Sequence, residues 1–412
     1  MKRIRDALLL QKRELGKNLE KKYVDRDFEL FELNKDIIKV IIGPRRAGKS
    51  FFAMHELKNF GYANFDDEIL VEVEDYNDVV EAIKELYDNP KVLFLDEIQN
   101  LPKWELFVNR LQRQGYNLIV TGSNSNLLSK ELATHLTGRH STTIVFPFSF
   151  KEYLNFFNEE LTESEKKSKL ISYLKNGGYP EPLVKDLDYQ NYLTTLFDSI
   201  LFKDIIKRHN IKYPKGLEEL SRLLISNFAN LTSYNKLKDL LGINSVHTIK
   251  KYVSYLEEAF MVFELKRFSF KVKEQEKSNK KIYIIDNGLI TAKSFEFSNN
   301  VGKLYENAVA IELHKKELKK EIEIYYYSKN YEVDFVVKKG RKIDQLIQVC
   351  YDANDERTKK REIRGLLHAS KELKCENLII ITENQEKTEK SEWFGLKGTI
   401  KFIPLWKYLL MK

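Results

Sequence analysis

The sequence predicts an α/β protein of several domains: a parallel-sheet core, a helical middle and a second α/β domain. Three observations carry this. Between residues 36 and 150, short apolar runs alternate with helical patterns, which implies a parallel sheet covered by helices. From 151 to about 265 the strands stop and helical spacing takes over. From about 300 the strand–helix alternation resumes. A chain of 412 residues also exceeds the usual size of a single core.

In chain order, residues 1–35 hold two short helical patterns rich in Lys and Arg. "IIKVIIG" is a continuous β-branched run, as a strand buried on both faces should be. "YANFDD", "KVLFLDE", "NLIVTGS" and "HSTTIVF" are four further strands, separated by the helical stretches "KSFFAMHELKN", "DYNDVVEAIKELYDN", "PKWELFVNRLQRQG" and "SNLLSKELATHL". Residues 151–220 are helical and broken by "NGGYPEP". Within 221–290, two helices around Gly242 give a helix-turn-helix outline, and "MVFELKRFSF" with "IYIID" reads as a β-hairpin wing. Residues 300–412 open with a helix, followed by "IEIYYYSK", "EVDFVVKKG" and "DQLIQVCYD" as strands. The helix "ERTKKREIRGLLHASKEL", the strand "ENLIIITE" and the terminal "IKFIPLWKYLL" complete it.

Composition narrows the class. The 42% apolar fraction suits ordinary cores, and 32% charged residues lean toward a heat-adapted prokaryotic composition. A balance of 69 basic against 61 acidic residues, net +8, permits nucleic-acid binding without demanding it. Two cysteines cannot build a disulfide framework or a zinc site, which fits a reducing cytosol. The apolar run near the start is too short for a secretory signal, and no stretch of about 18 apolar residues occurs. A cytoplasmic protein without a membrane span is expected.

The chemistry begins at "GPRRAGKSF". Gly43, Gly48, Lys49 and Ser50 match G-x-x-x-x-G-K-[ST], with Pro44, Arg45, Arg46, Ala47 and Phe51 completing the stretch. Glycines let the backbone turn so that its N–H groups face a phosphate at a helix N-terminus. Lys49 then reaches the β/γ oxygens of ATP and Ser50 binds Mg²⁺. A chance Gly-Lys turn is the alternative; the strand before it and helix after it argue against that. Asp96 and Glu97 end the strand "VLFLD" about 45 residues on. Asp96 there holds Mg²⁺ through water and Glu97 polarises the attacking water, although an acidic helix cap also suits that position. Thr121, Ser123 and Asn124 are candidates for sensing the γ-phosphate.

The set GPRRAGKS, LFLDEIQN, TGSNSNLLS, LTGRHSTTIVFPFSFKEYL and GGYPEP resembles the AAA+-type ATPases of archaea and bacteria that carry a C-terminal domain of unknown function. The resemblance spans essentially the whole chain. It implies a P-loop ATPase core, a helical and winged-helix middle, and a nuclease-like end. It also implies that Arg139 completes an ATP site in the same or a neighbouring chain, where a surface ion pair is the alternative.

Glu306, Asp334 and Gln348 fall on a helix and two successive strands. That order resembles the PD-(D/E)xK restriction-endonuclease-like fold, as in archaeal Holliday-junction resolvases. In an active site these residues help hold Mg²⁺ while a Lys activates water. Here Cys350 stands where that Lys is expected. A thiol is a poor donor to phosphate, so the fold without efficient cleavage is expected. Glu306 and Asp334 as ordinary ends of a helix and a strand remain the alternative.

Basic charge is concentrated in two places: residues 1–22 hold eight Lys/Arg against three acids, and residues 266–281 hold seven against two. Asn244, Ser245, His247 and Thr248 open the second helix of the helix-turn-helix, followed by Lys250 and Lys251; Lys271 and Lys273 lie in the wing. Polar residues with lysines beside them suit groove entry and phosphate contact, and a solvated helix face is the alternative. The expectation is an ATP-hydrolysing homo-oligomer, such as a hexameric ring, that remodels DNA. An ATP-gated STAND-like switch that recruits protein partners and an active Mg²⁺-dependent nuclease are the rivals.

Overall fold

β1 (Ile38–Ile42) is five buried residues in a row, and it lies inside its sheet rather than at an edge. The computed structural model describes residues 2–28, 37–123, 140–293 and 301–411. β2 (Phe60–Asn64), β3 (Val92–Asp96), β4 (Asn117–Gly122) and β5 (His140–Ile144) complete a sheet of order β2-β3-β4-β1-β5. Every pairing in it is parallel. β1, β3 and β4 are buried along nearly their whole length and read as near-continuous apolar runs, whereas the edge strand β5 is half-buried and largely polar. The registers Asn64↔Asp96, Leu95↔Val120 and Ile42↔Gly122 bring the carboxyl ends level. Ligands of open α/β sheets bind at that edge.

Among the described residues of the N-terminal segment there is one helix, Lys2–Leu19, which is longer than the short helical patterns expected there. Gly16 does not break it. Ile4 and Leu8 lie in the core that holds β1, β3 and β4, and the Gln11 amide donates to the Asn64 carbonyl at 3.1 Å. Its Lys and Arg residues mark the outer face of a core helix. This helix, the sheet, residues 179–186 and residues 258–260 make one compact unit.

The second unit comprises 149–178, 187–257 and 261–412. The helix Pro214–Ser226, β6 (Leu231–Thr232), the helices Tyr234–Leu240 and Val246–Glu258, then β7 (Val262–Leu265) and β8 (Lys280–Ile284) follow one another. The expected hairpin exists: β7 and β8 pair antiparallel, with β6 on the far side of β8. Its connection, however, contains the helix Val272–Lys277 rather than a turn. Beyond β7 the chain lies along another strand, with the Phe268 N–H donating to the Tyr326 carbonyl at 2.6 Å.

That other strand is β9 (Glu323–Ser328), the edge of a six-stranded mixed sheet. β10 (Glu332–Lys339), β11 (Lys342–Val349), β12 (Leu378–Thr382), β13 (Lys387–Trp393) and β14 (Leu396–Pro404) give the order β13-β14-β12-β11-β10-β9. The helix Glu356–Leu373 buries Leu366, Leu367 and Leu373 in the core of this sheet, and the helix Val301–Leu318 packs against β8, β9 and β11. A register shift between Val333 and Val336 places Asp334 in a bulge of β10, a feature that re-aims side chains. Among the described residues no helix is long and apolar enough to cross a membrane.

Candidate functional site

The phosphate loop runs from the end of β1 into the helix Lys49–Glu56. Gly43 has φ +146° and a Cβ there would run into the Val145 carbonyl, while Gly48 has φ +92°. Only glycine takes these conformations freely. Lys49 is 4% exposed, and its Nζ donates to the carbonyls of Gly43 at 3.1 Å and Pro44 at 2.9 Å. A phosphate oxygen is a stronger acceptor for an ammonium than a neutral carbonyl. The lysine is thus stored inside the loop that would receive the anion.

Asp96, the last residue of β3, is the hub beside the loop. The Ser50 hydroxyl donates to its Oδ1 at 2.8 Å, the Thr121 hydroxyl donates to the same oxygen, and the Tyr62 hydroxyl donates to Oδ2 at 3.1 Å. Burial pushes the Asp96 carboxyl up to about 6, the charge of Glu97 adds to this, and the three hydroxyls pull it back. Glu97 is half-buried with φ +50°. A side chain in the left-handed region needs support, and the Glu97 N–H has it, donating to the Thr121 hydroxyl at 3.0 Å. The Gln99 amide donates to the Glu97 carboxylate. Ser50 and Asp96 form a pair of oxygen ligands that fits Mg²⁺, which takes one or two protein oxygens beside phosphates and water.

The structure therefore brings Gly43, Lys49, Ser50, Asp96 and Glu97 together, as the sequence suggested. Thr121 is fully buried and commits its proton to Asp96. Its hydroxyl links the two acids, donating to Asp96 and accepting the Glu97 N–H. Ser123 is 2% exposed, while Asn124 and Arg139 lie outside the described residues. Arg45 pairs with Asp66 at 3.9 Å and exposed Arg46 with Glu181 at 3.5 Å. Phe51 packs its ring on His55, which stacks on Tyr23 with centroids 4.1 Å apart. Pro44 and Ala47 are buried in the loop.

In the second unit Glu306, Asp334 and Gln348 also converge. Gln348 accepts the Asp334 N–H through its side-chain oxygen at 3.0 Å, and Asp334 Oδ2 accepts the Val349 N–H at 3.0 Å. Their centre is held by a residue that sequence reasoning missed. Lys281 Nζ, on β8, lies 3.0 Å from Glu306, 3.0 Å from Asp334 and 2.8 Å from Glu332. Burial alone would lower the Lys281 pKa, but Tyr283 and these carboxylates together hold it well above the ordinary value. Three carboxylates face one ammonium, and burial with the surplus charge of Asp334 pushes Glu306 up to about 7. Cys350 is buried, and its thiol faces the Asp352 carbonyl at 3.6 Å rather than the acids. Burial raises that thiol to about 11. It is a core residue.

The DNA candidates divide. Asn244, Ser245, His247, Lys250 and Lys251 are exposed and Thr248 is half-buried, while Ile249, Tyr252 and Val253 on the same helix are buried. Ser245 accepts the His247 N–H at 3.1 Å and so caps this helix. Lys271 and Lys273 are exposed on the β7–β8 connection. Lys280 and Lys281, by contrast, are buried at 5% and 2% exposure, so these two of the seven basic residues counted in 266–281 are not available to a nucleic acid.

A second anchoring acid emerges at "GGYP". Asp286, 3% exposed, accepts the N–H groups of Gly178 at 2.7 Å and Gly288 at 2.9 Å. Gly177 has φ +76° and a Cβ there would strike this carboxylate, so the glycine at 177 is explained by close approach.

Comparison with known proteins matches residues 35–154 to an AAA domain, 167–299 to a domain of unknown function (DUF8612) and 301–408 to another (DUF4143). An uncharacterized protein of Methanocaldococcus jannaschii is 37% identical over 98% of this chain and 95% of its own. An uncharacterized protein of Haemophilus influenzae is 33% identical over 86% and 91%. Among solved structures, a STAND protein with a tetratricopeptide repeat sensor from Pyrococcus horikoshii aligns with TM-score 0.29 and 16% identity, over 71% of this chain and 46% of its own. This chain thus spans less than half of that protein. The Aeropyrum pernix ORC1 protein, solved in complex with DNA, aligns with TM-score 0.31 and 11% identity, over 70% and 91%.

Proposed function

Because this chain belongs to the family of AAA-domain proteins that end in the domain of unknown function DUF4143, we propose that it hydrolyses ATP in order to bind and remodel DNA, four-way junctions included. The observation that carries the hydrolytic half is the chain of contacts Ser50–Asp96–Thr121–Glu97 at the open end of the sheet. In this reading Lys49 leaves the Gly43 and Pro44 carbonyls for the β/γ oxygens of ATP. Ser50 and Asp96 hold Mg²⁺, which supplies charge neutralisation for the phosphoryl group. Glu97, turned out of the strand by its left-handed backbone, accepts the proton of the attacking water. Thr121 fixes both acids at once. Arg139 serves as a finger from a neighbouring copy in a homo-oligomer, and Asn124 senses the γ-phosphate.

The DNA half rests on the exposed start of the helix Val246–Glu258. Asn244, Ser245 and His247 offer hydrogen bonds there, with Lys250 and Lys251 beside them. Lysines contact phosphate as point charges, so binding is salt-sensitive and weak in sequence preference. In domain terms, 36–150 is the motor, 151–220 its helical lid, 221–290 a winged helix and 300–412 a nuclease-like domain that grips without cutting.

The test is ATPase rate with no DNA, linear duplex and a four-way junction at low salt, in wild type, Lys49→Ala and Arg139→Ala. Stimulation by DNA in wild type, lost in both variants, supports the reading. Very slow turnover with retained nucleotide and no response to DNA would favour a STAND-like signalling switch instead.

A further inference from the structure

We propose that Lys281 is a built-in cation standing at the metal position of the acidic centre, so that this centre is closed to divalent metal. The inference concerns the centre itself and stands whether or not the chain acts on DNA.

The ammonium touches all three carboxylates at hydrogen-bonding distance, and its side chain is 3% exposed. Three further polar groups of the centre are also engaged within the protein. The Tyr283 hydroxyl, two residues along β8, donates to the same Glu306 oxygen at 2.7 Å. The second Asp334 oxygen takes the Val349 N–H, and Gln348 turns its oxygen to the Asp334 N–H. A bound Mg²⁺ or Ca²⁺ needs six or more oxygens at about 2.0–2.6 Å. Here the converging oxygens already address an ammonium, and a second cation among them would lie about one ionic contact from Nζ and be repelled. Among the described residues no group of three or more His, Cys, Asp or Glu is placed to hold a metal.

The position of the lysine gives the arrangement its use. Lys281 belongs to the hairpin of the helix-turn-helix segment, whereas Glu306 lies on the first helix of the C-terminal segment and Asp334 on β10. The ammonium therefore ties three stretches of chain at the point where a nuclease would place its ion. Removing one partner of such a buried group leaves the others uncompensated. A cation supplied from outside should then be taken up.

The experiment is a Mn²⁺ titration of the full chain without nucleotide, read by the electron paramagnetic resonance of free Mn²⁺, with thermal melting alongside. Wild type and Glu306→Gln should bind Mn²⁺ alike, since the acids are not available to it. Lys281→Ala should gain one site, about tenfold or more tighter than any in wild type. Its lowered melting temperature should recover with Mn²⁺, and both effects should vanish in Lys281→Ala/Glu306→Gln. A wild-type site that Glu306→Gln abolishes would overturn the proposal, and that comparison stands even if Lys281→Ala does not fold. A folded Lys281→Ala that gains no Mn²⁺ would overturn it too. None of these readouts depends on ATP hydrolysis or DNA.

Discussion

Thr121→Val asks whether one buried hydroxyl sets the acidity of the catalytic pair. Valine keeps the shape and removes a donor to Asp96 together with the acceptor of the Glu97 N–H. A hydrogen bond to a charged group is worth about 1.5–3 kcal/mol, and about 1.36 kcal/mol corresponds to one pH unit. The Asp96 carboxyl, already at about 6, should therefore move up by about one to two units in the variant. Asp96 must be ionised to assist a cation, so activity rises with pH through its pKa. The profile of kcat/KM reports groups of the free enzyme. Its acid limb should lie near pH 6 in wild type and about one to two units higher in Thr121→Val. Superimposable limbs would refute the role given to this hydroxyl. A lower plateau with an unmoved limb would show that Thr121 acts only through Glu97.

Three further outcomes are expected. Burial raises Asp96 from 3.8 to about 6, so the folded state binds the extra proton between those values and stability falls as pH rises through them. In chemical denaturation, Asp96→Asn should gain about 2 kcal/mol over wild type between pH 4 and pH 7, and a pH-independent difference would contradict this. Asp286→Ala orphans the buried N–H groups of Gly178 and Gly288; it should lower stability by about 2–4 kcal/mol, checked by the denaturation midpoint. Lys250→Ala/Lys251→Ala should reduce the slope of log affinity against log salt by about 1.8, measured by duplex-binding anisotropy at several salt concentrations.

What was legible in the sequence is what depends on neighbours along the chain. The glycines of the phosphate loop, the apolar strands and Asp96–Glu97 are local patterns, and local spacing fixes their geometry. Thr121 was visible only as one of several polar residues at a strand end, because its partner lies on the adjacent strand. Lys281 was hidden for a stronger reason. It sits in a run of lysines that reads as solvent-facing, while its partners lie 25 and 53 residues away. The usable signal was the apolar strand that follows it, together with two acids left without a lysine at Cys350. β13 escaped notice because "KTEKSEW" is mostly charged, as an edge strand that resists further pairing should be.

The measurement that bears most directly on the account is ATP hydrolysis by wild type and Glu97→Gln, each with and without a four-way DNA junction at low salt. The account predicts DNA-stimulated turnover in wild type. In Glu97→Gln it predicts a loss of about a hundredfold or more with retained binding of a fluorescent ATP analogue. Undiminished hydrolysis in Glu97→Gln would contradict the assigned chemistry, and a wild-type rate indifferent to every DNA would contradict the proposed use of its energy.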